Sequence, residues 1–430
     1  MDPKRLLPWI IAGVSVSGLL PVVIFWVFFG RVPVLDGDAA RQKLLRPETP
    51  SILIDIRPPT DFNRSHIDGS ANRPFADIMK MCTAGDMPAH WQGRSLLFIC
   101  DAGFHSVRAA RKVKSMAASQ KVYSVQGGIQ TWLKGAADAD QTYYRFKTAS
   151  GQTKPLPVVS APWLKQFLVC AAAFFIKPLY MILSLALIWV LRRQQSIDLR
   201  VLKWAFISFL TGESFCAVNY IFFGEDSYLV EYLHMFGMVG AFGLTVYALI
   251  KFADMRVLHI SDPRKKCAVQ LLCAQCIKYT ETPCGFTRML TVFSFAFLIC
   301  AFIPLCADLH TDAYLTDIFG TLYMYTHPAV YQYFEIRYAP ALAALFFSAA
   351  LFLLMNGKAR FMEAGMIFFS AGSGFLGFSM FRLVLFSAYR VDLSWFVIWE
   401  EVTELLYILG AGALLWIFRR RLLEADGFTQ

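Results

Sequence analysis

Eight long apolar stretches constrain this chain more than any other feature. They run over residues 6–29, 166–191, 204–223, 228–250, 289–307, 339–356, 363–386 and 395–418. A helix rising ~1.5 Å per residue crosses a hydrocarbon core about 30 Å thick in roughly 20 residues, so even the shorter stretches come close. Lipid offers no water to the backbone, which leaves the helix as the way to satisfy every N–H and C=O. Hydrophobic residues make up 57% of the chain, with 39 Phe, against about 45–50% apolar in soluble domains. The excess lies outside residues 31–160. The chain therefore reads as an α/β domain joined to an all-α transmembrane bundle.

Loop charges set the expected orientation. Basic residues gather at Arg192, Arg193, Arg200 and Lys203, at Arg256, Arg264, Lys265 and Lys266, at Lys358 and Arg360, and at Arg419, Arg420 and Arg421. The alternate connections, Gly224-Glu225-Asp226 and 308–335, are acidic or aromatic. The positive-inside rule puts every basic loop, and the C-terminus, in the cytoplasm. The α/β domain is then external, or periplasmic in a Gram-negative cell, and the protein is a multi-pass inner-membrane protein in contact with lipid. Leu6 to Phe29, behind Lys4 and Arg5, lacks a small-x-small cleavage pattern and reads as a retained signal anchor. The net charge of +10 is spent on topology and implies no nucleic-acid partner.

The expected divisions are an N-terminal anchor (1–30), the external α/β domain (31–160), a first set of spans (161–255), a cysteine-rich cytoplasmic loop (256–288), a span with an outer loop (289–338), and a second set of spans with a basic tail (339–430). The two sets suggest a three-span internal repeat. Pro178 matches Pro340, Gly212 matches Gly374, and one span later Glu231, His234 and Gly240 match Glu401, Glu404 and Gly410.

Within the α/β domain one loop carries chemistry. Leu96 to Ile99 reads as a buried parallel strand, followed by Cys100-Asp101-Ala102-Gly103-Phe104-His105-Ser106 entering a helix. Amide groups at a helix N-terminus favour an anionic sulfur. Upstream lie Ile52 to Arg57, His66-Ile67-Asp68-Gly69 and Asn72-Arg73-Pro74; downstream lie Gly127-Gly128-Ile129 and Trp132.

That order resembles the rhodanese (sulfurtransferase) domain over about residues 38–136. The resemblance implies that Cys100 is a nucleophile that carries sulfur as a persulfide. It further implies that His105 and Ser106 contact the donor, that Asp101, Ala102, Gly103 and Phe104 line its site, and that Asp55 and Arg57 form a supporting pair. The donor would be a sulfane compound such as thiosulfate, polysulfide or a persulfide. The acceptor would be a thiol or a redox partner protein. The family usually has Arg where this chain has His105. A histidine is only partly charged near neutral pH, so a weaker grip on dianionic thiosulfate is expected.

Two further constellations stand out. Cys267, Cys273, Cys276 and Cys284 fall within eighteen residues on the expected cytoplasmic side, a donor set for zinc or for an iron–sulfur cluster. Inside the spans lie Glu213, Asn219, Glu231, His234, Arg382, Glu400, Glu401 and Glu404. Charges in hydrocarbon are costly, so such groups pair, face a polar cavity or bind a substrate. Arg382 with Glu401 or Glu404 is the plain pairing, and an E-x-x-H opposite an E-x-x-E is also a carboxylate metal pattern. The sequence thus predicts a membrane-anchored rhodanese-like sulfurtransferase whose bundle passes on sulfur or electrons. The alternatives are a transporter of a sulfur species and a sulfur or redox sensor.

Overall fold

The run Ser95–Ile99 is buried along its whole length, as a strand covered on both faces must be. Leu96 and Phe98 pack with Ile54, Ile78, Trp91 and Val113 on one side. Leu97 and Ile99 pack with Ala40, Leu53, Val125 and Trp132 on the other. Burial contributes about 1.5–3 kcal/mol for each such aliphatic or Phe side chain, so this strand anchors two cores at once. The architecture comes from a computed structural model. It describes residues 32–46, 48, 50–100, 103–129, 132, 146–148, 158–159, 161–223, 228–260, 267–268, 284–307, 313–319, 321–326, 334–356, 359–389 and 392–419. The expected N-terminal anchor lies outside them.

The α/β domain runs β1 (Val34–Leu35), α1 (Gly37–Leu45), β2 (Ser51–Asp55), α2 (Pro59–Arg64), β3 (Ser65–Ile67), β4 (Ala71–Asn72), α3 (Phe75–Ala84), β5 (Ser95–Ile99), α4 (Phe104–Met116) and β6 (Val122–Val125). Five strands form one sheet in the order β1-β6-β5-β2-β4, and every pairing in it is parallel. This is the expected parallel sheet with flanking helices. A parallel strand pair needs a crossover, and the helices supply it. Cys100 follows the central β5, so the loop sits at the carboxyl end of the sheet, where open α/β folds place their ligands.

The helical part begins with α5 (Trp163–Ala171), which continues through a π-helical stretch, Ala172–Ile176, into α6 (Lys177–Val190). It proceeds through α7 (Ile197–Phe223), α8 (Tyr228–Phe252), α9 (Gly285–Cys300), α10 (Phe302–Cys306), α11 (Ala339–Met355), α12 (Ala359–Ala388) and α13 (Leu393–Ile417). Among the described residues six helices are long and apolar enough to cross a membrane. Seven spans were expected after residue 160. The seventh expected stretch falls on α13, a 25-residue helix set apart from those six by the three carboxylates Glu400, Glu401 and Glu404.

The outer loop 308–335 differs from its sequence reading. It contains two antiparallel strands, β7 (Ala313–Ile318) and β8 (Thr321–Thr326). Val158–Val159 adds to β7 in parallel. Alternating polar and apolar residues such as Thr321-Leu322-Tyr323-Met324-Tyr325 suit a strand, whereas the sequence reading took this stretch only as an acidic or aromatic connection. Phe334 instead is buried, 4.3 Å from Tyr232 between ring centroids.

The two glycines matched in the repeat both serve close helix crossings, and both crossings involve α8. A Cβ on Gly237 would stand 2.5 Å from Gly212 Cα, and one on Gly374 would stand 2.5 Å from the Val239 carbonyl oxygen. Small residues let helices approach this closely in a membrane. The helices that carry these two glycines, α7 and α12, thus both pack against α8.

Candidate functional site

The first helical residue after the Cys100 loop is reached through Gly103, whose φ is +84°. A Cβ there would lie 2.9 Å from the Gly127 amide nitrogen, so both the backbone angle and the space require glycine. The turn aims two amides at sulfur. Gly103 N–H donates to Cys100 Sγ at 3.2 Å and Ser106 N–H does so at 3.4 Å. Ile129 N–H fixes the Cys100 carbonyl at 2.8 Å.

A buried hydroxyl chain backs the sulfur. Ser124 Oγ donates to Ser106 Oγ at 2.9 Å, and Ser106 Oγ donates to the Gly103 carbonyl at 3.0 Å. The Cys100 thiol lies 3.5 Å from Ser106 Oγ. Cys100 is 5% exposed and both serines are fully buried. The arrangement is a sulfur in a nest of donors, which stabilises negative charge on it and on a bound anion.

Asp55 and Arg57 form the expected supporting pair. Arg57 Nη2 lies 2.7 Å from Asp55 Oδ2, Arg57 Nε donates to Asp55 Oδ1 at 3.0 Å, and the Arg57 amide donates to the same oxygen at 3.0 Å. Asn72 Nδ2 spans the carbonyls of Asp55 and Arg57, at 3.0 Å each. This clamp joins β2 to β4 near the site.

His105 is exposed beside the loop, its ring 5.1 Å from Phe75. Burial of part of the ring, and then the positive charge of Arg108, hold its pKa below the ordinary histidine value. The ring is thus mostly neutral at neutral pH. Arg108 rests over Phe75 at 5.5 Å and places a permanent charge beside the loop. Neither Arg108 nor Ser124 stood out as a site residue in the sequence. Arg108 could have been found as the basic residue one turn into the helix. Asp101 and Ala102 lie outside the described residues, as does the side chain of Phe104.

The polar residues of the spans separate into two centres. In one, Lys177 lies 2.6 Å from Glu213 and 3.0 Å from Glu401, and Tyr180 Oη stands 2.6 Å from Glu213 and 2.7 Å from Glu401. Glu404 completes the group, and His234 Nδ1 is 3.5 Å from Glu213. In the other, Arg382 Nε is 3.0 Å from Glu335, Nη1 pairs with Glu400, and Nη2 is 3.9 Å from Glu231. Asn219 donates to Glu231 at 3.2 Å.

Arg382 therefore pairs with Glu400 and Glu335, and the expected pairing with Glu401 or Glu404 is corrected. Glu400 and Glu401 are adjacent on a helix and point about 100° apart, which sends them to different centres. Glu231 and His234 likewise part company. Lys177, Tyr180 and Glu335 were missed: Lys177 and Tyr180 lie inside the apolar stretch 166–191, and Glu335 lies just before the stretch 339–356.

Of the cysteine cluster, Cys267 and Cys284 are described and buried in the bundle core. Cys273 and Cys276 lie outside the described residues.

Comparison with known proteins bears on the α/β domain. A model of the rhodanese-like domain matches residues 38–135. Thiosulfate sulfurtransferase GlpE of Pseudomonas fluorescens is 31% identical over 123 residues, which are 29% of this chain and 94% of that protein. A solved structure from Rhodopseudomonas palustris CGA009, a protein of unknown function described as a possible tyrosine phosphatase, is 19% identical. The match covers 25% of this chain and 83% of that one, with a TM-score of 0.23.

Proposed function

We propose, from the premise that this chain belongs to the rhodanese-like family, that Cys100 takes sulfane sulfur as a persulfide and hands it to a thiol. The observation that carries the reading is the pair of amides, Gly103 and Ser106, aimed at a buried Cys100 sulfur. With thiosulfate as donor, the Cys100 thiolate attacks the outer sulfur. The donor's S–S bond breaks and sulfite leaves with its electron pair. An acceptor thiolate then attacks the outer sulfur of the persulfide, and Cys100 departs as thiolate. The two amides stabilise the charge on sulfur through both steps, and the Ser106–Ser124 chain ties down the turn that aims them.

The test uses the full chain in detergent. After incubation with thiosulfate or polysulfide, the peptide holding Cys100 gains the mass of one sulfur atom, and added thiol removes it. No gain with any sulfane donor overturns the assignment.

His105 tunes the choice of donor. Being mostly neutral at neutral pH, it adds little to the binding of a dianion, and Arg108 supplies the nearby charge. Thiosulfate turnover should rise as pH falls below the ordinary histidine pKa of about 6.5, because protonation then adds a positive charge at the loop. His105→Arg, always charged, should raise thiosulfate use about tenfold relative to polysulfide and flatten that acid-side rise. An unchanged donor ratio would mean that His105 does not face the donor.

The bundle anchors this domain, and we place the domain on the external face of the inner membrane because the basic connections fall on the opposite side. Pairing of Val158–Val159 with β7 supports the order of the spans. Residue 158 and the 313–326 hairpin share one side, as an even number of crossings between them requires. We propose that Cys267, Cys273, Cys276 and Cys284 hold a metal, because four thiols within eighteen residues suit zinc or an iron–sulfur cluster as thiolate donors. Metal and acid-labile sulfide measured on anaerobically purified full chain decide this. Iron with sulfide makes the bundle redox-active, zinc makes the loop structural, and neither removes the cofactor.

A further inference from the structure

Three carboxylates meet inside the bundle where one ammonium faces them. Glu213 of α7 and Glu401 and Glu404 of α13 bring an oxygen each within 4.8 Å of one another, and all three are buried. Lys177 of α6 is shared between Glu213 and Glu401. Tyr180, one turn further along α6, touches the same two carboxylates at 2.6 and 2.7 Å.

Hydrogen counting then becomes decisive. A phenol has one hydrogen to donate. It satisfies one of those two short contacts. The other places a carboxylate oxygen against the phenol oxygen at hydrogen-bond length, and needs a hydrogen from the carboxyl side. A second observation is independent of Tyr180. Glu404 Oε2 and Glu213 Oε1 are buried and have no hydrogen-bond partner. A charged oxygen left so is costly in a medium of low dielectric, while a neutral carboxyl there costs far less.

The neighbouring groups do not make up the missing positive charge. From α8, His234 Nδ1 lies 3.0 Å from the Gly212 carbonyl and 3.5 Å from Glu213, and even a charged ring beside Lys177 would set two positive charges against three carboxylates. From α7, Cys216 is within electrostatic reach of Lys177 and Glu213. Arg382 of α12 is already engaged by Glu335, Glu400 and Glu231. A metal ion bridging Glu213 and Glu401 would have to displace the Lys177 ammonium that already lies between them.

We propose that Glu213, Glu401 and Glu404, gathered around Lys177 and Tyr180, form a proton-binding site within the bundle. The ligand is the exchangeable proton, shared between carboxyl groups and held in place by the phenol and the ammonium. A group that takes up and releases protons inside a membrane bundle is what a proton-coupled cycle requires. The site is independent of sulfur chemistry at Cys100.

Infrared difference spectroscopy on the full-length protein in lipid nanodiscs tests it. Spectra are recorded as pH is stepped from mildly acidic to mildly alkaline, in H2O and in D2O. The expected result is a protonated-carboxyl C=O band that shifts in D2O and fades as pH rises. Glu404→Gln and Glu401→Gln should each remove part of it. Tyr180→Phe, which deletes the shared donor and keeps the ring, should move the midpoint of its titration, and this variant serves if a glutamine variant fails to fold. Absence of such a band, or a band unaltered in every variant, overturns the proposal. Stoichiometric manganese binding by chelator-treated protein, lost in Glu404→Gln, would also overturn it and make the centre a metal site.

Discussion

Replacing Cys100 with serine should abolish sulfur transfer by the full chain, with a loss of about a thousandfold or more, because the atom that accepts the sulfur is gone. The change is nearly isosteric. Serine Oγ would sit under the same Gly103 and Ser106 amides, and the Ser106–Ser124 chain would persist. The fold should therefore melt within a few degrees of the parent, which separates lost chemistry from lost structure. An alcohol in that nest keeps its proton at neutral pH and forms no persulfide. The measurement is turnover with a sulfane donor and a thiol acceptor, alongside thermal unfolding. Retained turnover in a folded Cys100→Ser protein would remove Cys100 from the mechanism.

Asp55→Ala should unfold or severely loosen the α/β domain. Asp55 is fully buried and Arg57 is 6% exposed. The carboxylate takes two side-chain bonds and a backbone amide from Arg57. Alanine leaves the guanidinium in the interior without its counter-ion. Removing one partner of a buried pair costs about 3–5 kcal/mol, a large share of the roughly 5–15 kcal/mol that holds a domain together. Limited proteolysis of the full chain should cut residues 38–135 far faster than in the parent, and persulfide loading should fall with it. The double variant Asp55→Leu with Arg57→Leu should recover much of the resistance, since two apolar side chains leave no charge stranded. If Asp55→Ala resists protease as the parent does, the pair is dispensable to the fold.

The parallel sheet was legible because its signals are local: a run such as Leu96-Leu97-Phe98-Ile99 must be covered on both faces, and a Cys-x-x-Gly turn leading into a helix positions its own sulfur. The long spans were legible for a similar reason, since composition over about 20 residues suffices to suit a helix to lipid. The hairpin at 313–326 was not, because its aromatic and threonine alternation was read only as part of an outer connection.

Charge partners were the other failure. Glu400 and Glu401 are neighbours in sequence and serve different cations, Arg382 and Lys177. Lys177 is 224 residues from Glu401, a separation over which no spacing rule operates. By itself the sequence determined a rhodanese-like domain with its sulfur loop, joined to a helical membrane bundle rich in buried charge. Only the tertiary structure decided which of those charges meet. Helix identity follows from backbone hydrogen bonding and local hydropathy, whereas pairing depends on how each helix is rotated and where close crossings such as Gly212 on Gly237 let two helices approach.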